Sequence, residues 1–355
     1  MENGKISYTP TLDGKRAEDG LRELLVSGRV DDGDLVRRIY RLSQRFRTYT
    51  RCYPYGVWAQ GLSVSGEMRN LTDLYLPMEE IVRAFDRLFS LALRFTPFRA
   101  ASILHGSSGW LDFLQKIQLK VKSPDPANLL KGLMADEGKR RRFVFANFMP
   151  ARYGGVFGRY SGQSGFLAKW LEDNRERLAG AVRCLDTACG AGEGTYGLAR
   201  LLIEKGFPPS SITIVGASME PLELFAAAHA CFPHDPHREM NYRDYIGELQ
   251  DSGVLERMSF RLEMLGGGSI HKREKFDVIL CNGFLGGPFM HDKEGIEKTL
   301  AELAVRLAPG GVLLATNRFH GGWRYLAGEE RLRRMLVRCG LCLLRVADGV
   351  GGVRT

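Results

Sequence analysis

No stretch of about 18 uncharged apolar residues occurs in this 355-residue chain, so no segment reads as a membrane-spanning helix. The opening residues, Met1-Glu2-Asn3-Gly4-Lys5, form no apolar signal segment. Cysteine is sparse and odd in number, seven residues scattered through predicted strands and helices. That usage argues against a disulfide framework and suits a reduced, cytoplasmic protein. There is no internal repeat and no low-complexity tract, which sets aside solenoids and biased linkers.

What is present is enough apolar material for sizeable cores: 44% of residues are hydrophobic. The length exceeds one typical domain and implies two. Charge separates them. Residues 1–160 hold 26 Lys+Arg against 17 Asp+Glu, whereas residues 161–355 hold 24 of each, so the whole net charge of +9 lies in the first part.

That first part reads as helical. Met78, Ile81, Val82, Phe85, Leu88, Phe89 and Ala92 recur at helical spacing, with Arg83, Asp86, Arg87 and Arg94 mostly opposite. Similar patterns run through Leu35–Phe46, Trp110–Val121 and Ala127–Phe148, and Pro54, Pro97, Pro124 and Pro126 mark breaks. The expectation is an N-terminal α-helical domain over 1–150, joined near Pro150–Gly155 to a second domain over 151–355.

The second domain carries the chemistry. Val182 to Leu185 is an apolar strand, followed by Asp186, the loop Ala188-Cys189-Gly190-Ala191-Gly192-Glu193-Gly194, and a helix. Glycines belong where a turn brings backbone against a ligand, and a strand, glycine loop and helix in succession is how open α/β sheets hold a nucleotide-like cofactor. A second strand over Ser211–Ala217 begins 25 residues after Asp186 and ends in Ser218-Met219-Glu220-Pro221. A third, Met258 to Leu262, ends at Glu263-Met264-Leu265. A fourth, Lys275 to Cys281, opens into Asn282-Gly283. A helix over Lys293–Leu307 and the turn Ala308-Pro309-Gly310-Gly311 lead to a fifth, Val312–Thr316. A helix near Glu329–Cys339 precedes strands Leu341–Val346 and Gly349–Val353. Continuous apolar strands alternating with helices mean a parallel sheet covered on both faces.

This ordered set resembles the class I S-adenosylmethionine (SAM)-dependent methyltransferases over about residues 155–355. The resemblance implies a Rossmann-like α/β sheet of seven strands with the last one antiparallel, and SAM as cofactor. Within that superfamily, Cys189-Gly190-Ala191-Gly192-Glu193-Gly194-Thr195-Tyr196-Gly197-Leu198-Ala199 is similar to the glycine loop of the chemotaxis-receptor (CheR-type) methyltransferases, which esterify glutamate side chains. Phe157-Gly158-Arg159-Tyr160 resembles that family's Phe-Phe-Arg, and Cys281-Asn282-Gly283 its Cys-Arg-Asn. Gly194, Glu263 and Gly283 depart from the family pattern, and no receptor-docking insertion is visible.

The resemblance assigns roles by position. Asp186, Ala188, Gly190 and Gly192 form the loop against the methionyl part, Glu193 meets its ammonium and Arg159 its carboxylate. Most relatives end strand two in an acid that binds the ribose hydroxyls. Here Ser218 stands there, and strand alternation offers Glu220 as the substitute. Met219 and Met264 would pack near adenine, Glu263 would accept its amino protons, and Asn282 and Gly283 would stand where methyl and acceptor meet. Tyr153 and Tyr160 are further candidates for the pocket wall.

A carboxylate acceptor is already ionised at neutral pH and needs no base. A phenol or alcohol would benefit from a histidine, and His291 and His320 both follow core strands at the right edge. The favoured reading is an O-methyltransferase acting by in-line transfer on a carboxylate or other oxygen, borne by a small molecule or a protein. No Asn-Pro-Pro-Tyr, an amine-methylating signature, follows strand four. The alternatives are a non-catalytic SAM-binding scaffold and a nucleic-acid methyltransferase using the basic N-terminal domain. That domain would select or cover the acceptor, or hold a homodimer together. Nucleic acid is the weaker partner, because Lys139-Arg140-Arg141-Arg142 reads as a solvated helix face. His229, Cys231, His234 and His237 have zinc-donor types, but no second cluster completes them and no metal is assigned.

Overall fold

Strands covered on both faces are mostly apolar, and five largely apolar runs, interrupted by Arg183, Thr213, Ser259, Arg261 and Asp277, lie side by side at the centre of this protein. The computed structural model describes residues 6–52, 61–149, 156–266, 273–287, 290–316 and 328–355. Its strands are β1 (Ser7–Tyr8), β2 (Val182–Asp186), β3 (Ile212–Ser218), β4 (Met258–Leu262), β5 (Phe276–Asn282), β6 (Leu307–Thr316), β7 (Leu341–Leu344) and β8 (Val350–Arg354). They form one sheet in the order β1-β4-β3-β2-β5-β6-β8-β7.

The ladders β4-β3-β2-β5-β6 are parallel, and β8 is antiparallel to both β6 and β7. A dinucleotide-binding sheet would continue with a sixth parallel strand at that edge. Here a reversed hairpin takes its place, as the resemblance implies. The sheet has eight strands among the described residues, not the expected seven, because β1 pairs antiparallel with Phe260 and Arg261 of β4. Two residues are too few to show a period, which is why the pattern did not reveal them.

The helices are α1 (Gly14–Leu24), α2 (Gly33–Cys52), α3 (Gly66–Tyr75), α4 (Met78–Ala92), α5 (Trp110–Lys116), α6 (Pro126–Ala135) and α7 (Glu137–Phe148). Then follow α8 (Ser161–Asp173), α9 (Arg175–Leu178), α10 (Glu193–Glu204), α11 (Pro221–His229), α12 (Pro236–Gln250), α13 (Lys293–Arg306) and α14 (Glu329–Arg338). The chain divides into two units. One comprises Met1–Ala17, Gly154–Cys231 and Met240–Thr355; the other comprises Glu18–Tyr153 and Phe232–Glu239. The division read from sequence, 1–150 and 151–355, therefore differs by a leading segment and by one short stretch in the middle. The joint expected near Pro150–Gly155 lies outside the described residues.

In the helical unit α4 buries Ile81, Phe85, Leu88, Phe89 and Ala92, the face its spacing predicts. Phe85 stacks on Phe143 with ring centroids 5.3 Å apart and lies 6.1 Å from Trp110. The single helix expected over Ala127–Phe148 is two. Asp136 is extended (φ −119°) and its carboxylate accepts from the Lys139 amide at 2.9 Å, capping α7. The helix expected over Trp110–Val121 stops at Lys116.

The basic run 139–142 is not one solvated face. Arg140 is 2% exposed and donates to four carbonyls: Leu133 (2.9 Å), Met134 (3.5 Å), Val26 (2.9 Å) and Gly28 (2.6 Å). Burial lowers its pKa, which measures the desolvation those carbonyls must offset. Arg141 pairs with Glu18 and Glu137. Only Lys139 and Arg142 are exposed. Arg140→Met should cost about 3 kcal/mol, since it strands buried carbonyls that a charged donor had satisfied, while Arg142→Met should stay within about 0.5 kcal/mol. Urea unfolding of the two variants checks this; equal losses would return Arg140 to the surface.

Candidate functional site

β2 has a parallel neighbour on each side, and the winding of the sheet reverses there, so the loop leaving its carboxyl end opens over a crevice. The loop is tied to both neighbours. Thr187 donates its amide and its hydroxyl to the Leu280 carbonyl of β5, at 2.8 and 2.9 Å. Two residues on, the Cys189 amide donates to the Ala217 carbonyl of β3 at 3.0 Å.

The chain then turns through two left-handed residues, Gly190 (φ 53°) and Gly192 (φ 94°), and enters α10. The glycines serve different ends. A Cβ on Gly192 would meet Phe260, Tyr196 and Ala227 at 3.1–3.2 Å, so this residue is required by packing inside the protein and not, as expected, by a ligand. A Cβ on Gly190 would meet only Glu193 Oε2, at 3.9 Å, among the described residues. The approach to the turn lies on that open side.

Carboxylates surround it. Asp186, 3% exposed at the end of β2, accepts from Thr195 Oγ1 at 2.8 Å and from the Ala188 amide. Burial nevertheless dominates, and with Glu193 nearby it pushes the Asp186 carboxyl up to about 6. Glu193 opens α10 and accepts a hydrogen bond from the Tyr242 hydroxyl. Burial raises the Cys189 thiol well above its ordinary range, and the nearby Asp186, Glu223 and Glu193 push it the same way.

At the end of β3 the structure chooses neither expected arrangement. Ser218 donates to Glu223 Oε2 at 2.7 Å and accepts from the Glu220 amide at 3.1 Å. The strand does not persist past Ser218, so alternation ends there; Glu220 becomes the residue before α11, with 4% exposure, and the half-buried carboxylate beside Ser218 belongs to Glu223. Glu223 was missed, although an acid in the first turn after Pro221 is a recognised helix-start signal. Met219 is half-buried beside them and Met264, after β4, is 58% exposed.

Glu263 follows β4. Its carboxylate pairs with Arg306, which is 0% exposed, and with Arg261 at 3.1 Å, while its amide donates to the Ser218 carbonyl at 3.0 Å. With its side chain 1% exposed, it is a buried counter-ion to these two arginines. The neighbouring strand end is different. Asn282 exchanges amide hydrogen bonds with Gln163 of α8, Nε2 to Oδ1 at 3.1 Å and Nδ2 to Oε1 at 2.7 Å. Gly283 follows with φ 72° and nothing within 4 Å of where a Cβ would stand, among the described residues. Gln163 was also missed, since no local pattern links positions 119 apart.

The segment before α8 is drawn to the same edge. Phe157 stacks on Tyr245 at 3.8 Å and lies 4.9 Å from Tyr242, the residue that holds Glu193. Arg159 is exposed, its guanidinium 5.3 Å from the Tyr160 ring centroid. His291 is exposed, one residue before Asp292, which caps α13. His320 and Tyr153 lie outside the described residues. His229 packs edge-on against Tyr8 in an aromatic setting, and His234 bonds the Met149 carbonyl at 3.1 Å. Among the described residues no three His, Cys, Asp or Glu side chains form a metal-binding group.

No family model and no curated protein sequence matches the chain. Among solved structures it is similar to a SAM-bound amino pentose methyltransferase from Micromonospora echinaspora, at 18% identity and TM-score 0.29, over 44% of this chain and 50% of that one. It is similar to a TehB-like SAM-dependent methyltransferase from Corynebacterium glutamicum at 18% identity and TM-score 0.31, over 54% and 95% of the two chains. A third likeness is the N-methyltransferase NodS from Bradyrhizobium japonicum, at 13% identity and TM-score 0.34, over 56% and 96%.

Proposed function

We propose that this chain is a SAM-dependent methyltransferase, and that it methylates an oxygen, first a carboxylate. The observation that carries the reading is a left-handed glycine turn at the switch point of a parallel sheet, with buried Asp186 before it, Glu193 Oε2 3.9 Å from where a Gly190 Cβ would stand, and Glu223 bonded to Ser218 at the next strand end. Carboxylates at such a turn favour a ligand bearing positive charge, because an opposite charge nearby stabilises their ionised form. The residues present fit the cofactor: Gly190 leaves an open side for its methionyl part, Glu193 suits its ammonium, and Glu223 with Ser218 suits a diol.

When bound, the cofactor supplies a methyl group already activated on a cationic sulfur. The chain's own residues then bind and align. Arg159 is the candidate for the cofactor carboxylate, and Met219 and Met264 offer apolar surface to a ring. Asn282, held by Gln163, and the open Gly283 end the strand beside β2, where an acceptor oxygen would be positioned. Alignment of two bound reactants supplies several kcal/mol of the barrier. An ionised carboxylate loses no proton, so neither His291 nor His320 is required for that acceptor. The helical unit is the proposed carrier of acceptor choice or of dimerisation.

With radiolabelled SAM and cell extract the protein should transfer label to a base-labile position. Base-stable label would overturn the carboxylate acceptor, and no SAM binding at millimolar concentration would overturn the enzyme. Removal of a charged hydrogen-bond partner costs about 1.5–3 kcal/mol, so Glu223→Ala should weaken SAM binding roughly 10- to 150-fold by calorimetry. Unchanged affinity would take the ribose away from Glu223.

The pH dependence follows from Asp186. Its pKa is about 6, so it is ionised above that value and protonated below it. A cationic ligand favours the ionised form, so SAM affinity should be flat above pH 7 and fall between pH 6 and 5 by at most about tenfold per unit. Asp186→Asn should remove that slope; a slope that survives would assign it to another group.

A further inference from the structure

The outward face of α2 is the least neutralised surface of the helical unit. From Leu35 to Cys52 the helix carries six arginines and no Asp or Glu. Its core face is Leu35, Ile39, Leu42 and Tyr49, all buried. At 100° per residue, Arg37, Arg41, Arg47 and Arg51 fall on the opposite side together with Tyr40, and all five are exposed. Tyr40 is 65% exposed and Val36 beside it 52%.

The other arginines are accounted for: Arg38 pairs with Asp34 at 2.7 Å and Arg45 with Glu80 at 2.6 Å. Arg37 reaches the same Asp34 at 3.5 Å from the end of the stripe. Arg41 and Arg51 make no ion pair among the described residues, and Arg47 only weakly influences Asp125, a buried group. Solvated helix faces usually intersperse charge of both signs. Here Arg37 and Arg41, and Arg47 and Arg51, are like charges four apart, an arrangement that disfavours the helix by itself and that a polyanion would relieve.

We propose that this face of α2 docks a single-stranded nucleic acid along its phosphate backbone. Arg37 to Arg51 spans about 21 Å at 1.5 Å per residue, room for several successive phosphates. Arginine suits phosphate through its bidentate fork, and Tyr40 offers a flat exposed ring for a base. A lipid surface is the poorer match, because the apolar side of α2 is already buried in the unit and only Tyr40 and Val36 could enter a bilayer. The inference stands apart from the reading of the β2 crevice, and failure of one leaves the other in place.

The test is fluorescence anisotropy of the full chain with a fluorescein-labelled, mixed-sequence 20-nucleotide RNA between 50 and 300 mM salt. Four phosphate contacts on a single strand give a slope of log K against log salt of about −3. R41Q/R47Q/R51Q should bind at least tenfold more weakly at 100 mM salt and lose about two units of slope, with an unchanged melting temperature. Tyr40→Ala should narrow the preference for the strand over a duplex of the same sequence. Absence of binding at 50 mM salt, an unaltered slope in the triple variant, or tighter binding of the duplex would each overturn the proposal. So would a triple variant that keeps RNA but loses phosphatidylserine vesicles.

Discussion

One tether organises the candidate site: the loop after β2 is hydrogen-bonded to β5 through Thr187 and to β3 through Cys189. Where the winding of such a sheet reverses, successive helices depart to opposite faces and leave a crevice at the carboxyl edge. A loop tied at both sides of such a gap cannot collapse into it. The left-handed turn at Gly190 and Gly192, the start of α10 and the position of Glu193 all inherit their placement from those two strands.

The same edge sorts its charges by burial. Glu263 pairs with Arg306 and Arg261, Arg261 pairs further with Glu274, and breaking one partner out of a buried pair costs about 3–5 kcal/mol. Asp186, Glu193 and Glu223 accept hydrogen bonds from the hydroxyls of Thr195, Tyr242 and Ser218. A hydroxyl donor orients a carboxylate without cancelling its charge. The helical unit uses a buried cation differently: Arg140 is satisfied by carbonyls alone and ties the end of α6 to the chain at Val26 and Gly28.

Strands β3 and β5 were legible because burial on both faces leaves a nearly unbroken apolar run, whereas β4 alternates, Met258, Phe260 and Leu262 against Ser259 and Arg261. The reversed hairpin was legible from Asp348-Gly349, where Asp348 takes φ 64°. Three things were not. β1 is two residues long, Asp136 interrupts a pattern that is helical on both sides of it, and Arg140 looks in sequence like Arg142. β1 and Arg140 depend on partners far along the chain, Asp136 on a local cap at Lys139, and periodicity reports only which side of an element is apolar.

The candidate site divides in the same way. Sequence by itself determined the strand order of events: an acid, a glycine turn and a helix after β2, and polar ends on β3, β4 and β5. Those features are local, set by φ angles, caps and apolar runs. Only the tertiary structure decided which side chains each carboxylate meets. It spent Glu263 on Arg306, placed Glu223 rather than Glu220 beside Ser218, and set Gln163 against Asn282. The reason is physical: a carboxylate's role follows from what shares its low-dielectric surroundings, and those neighbours come from other strands and helices.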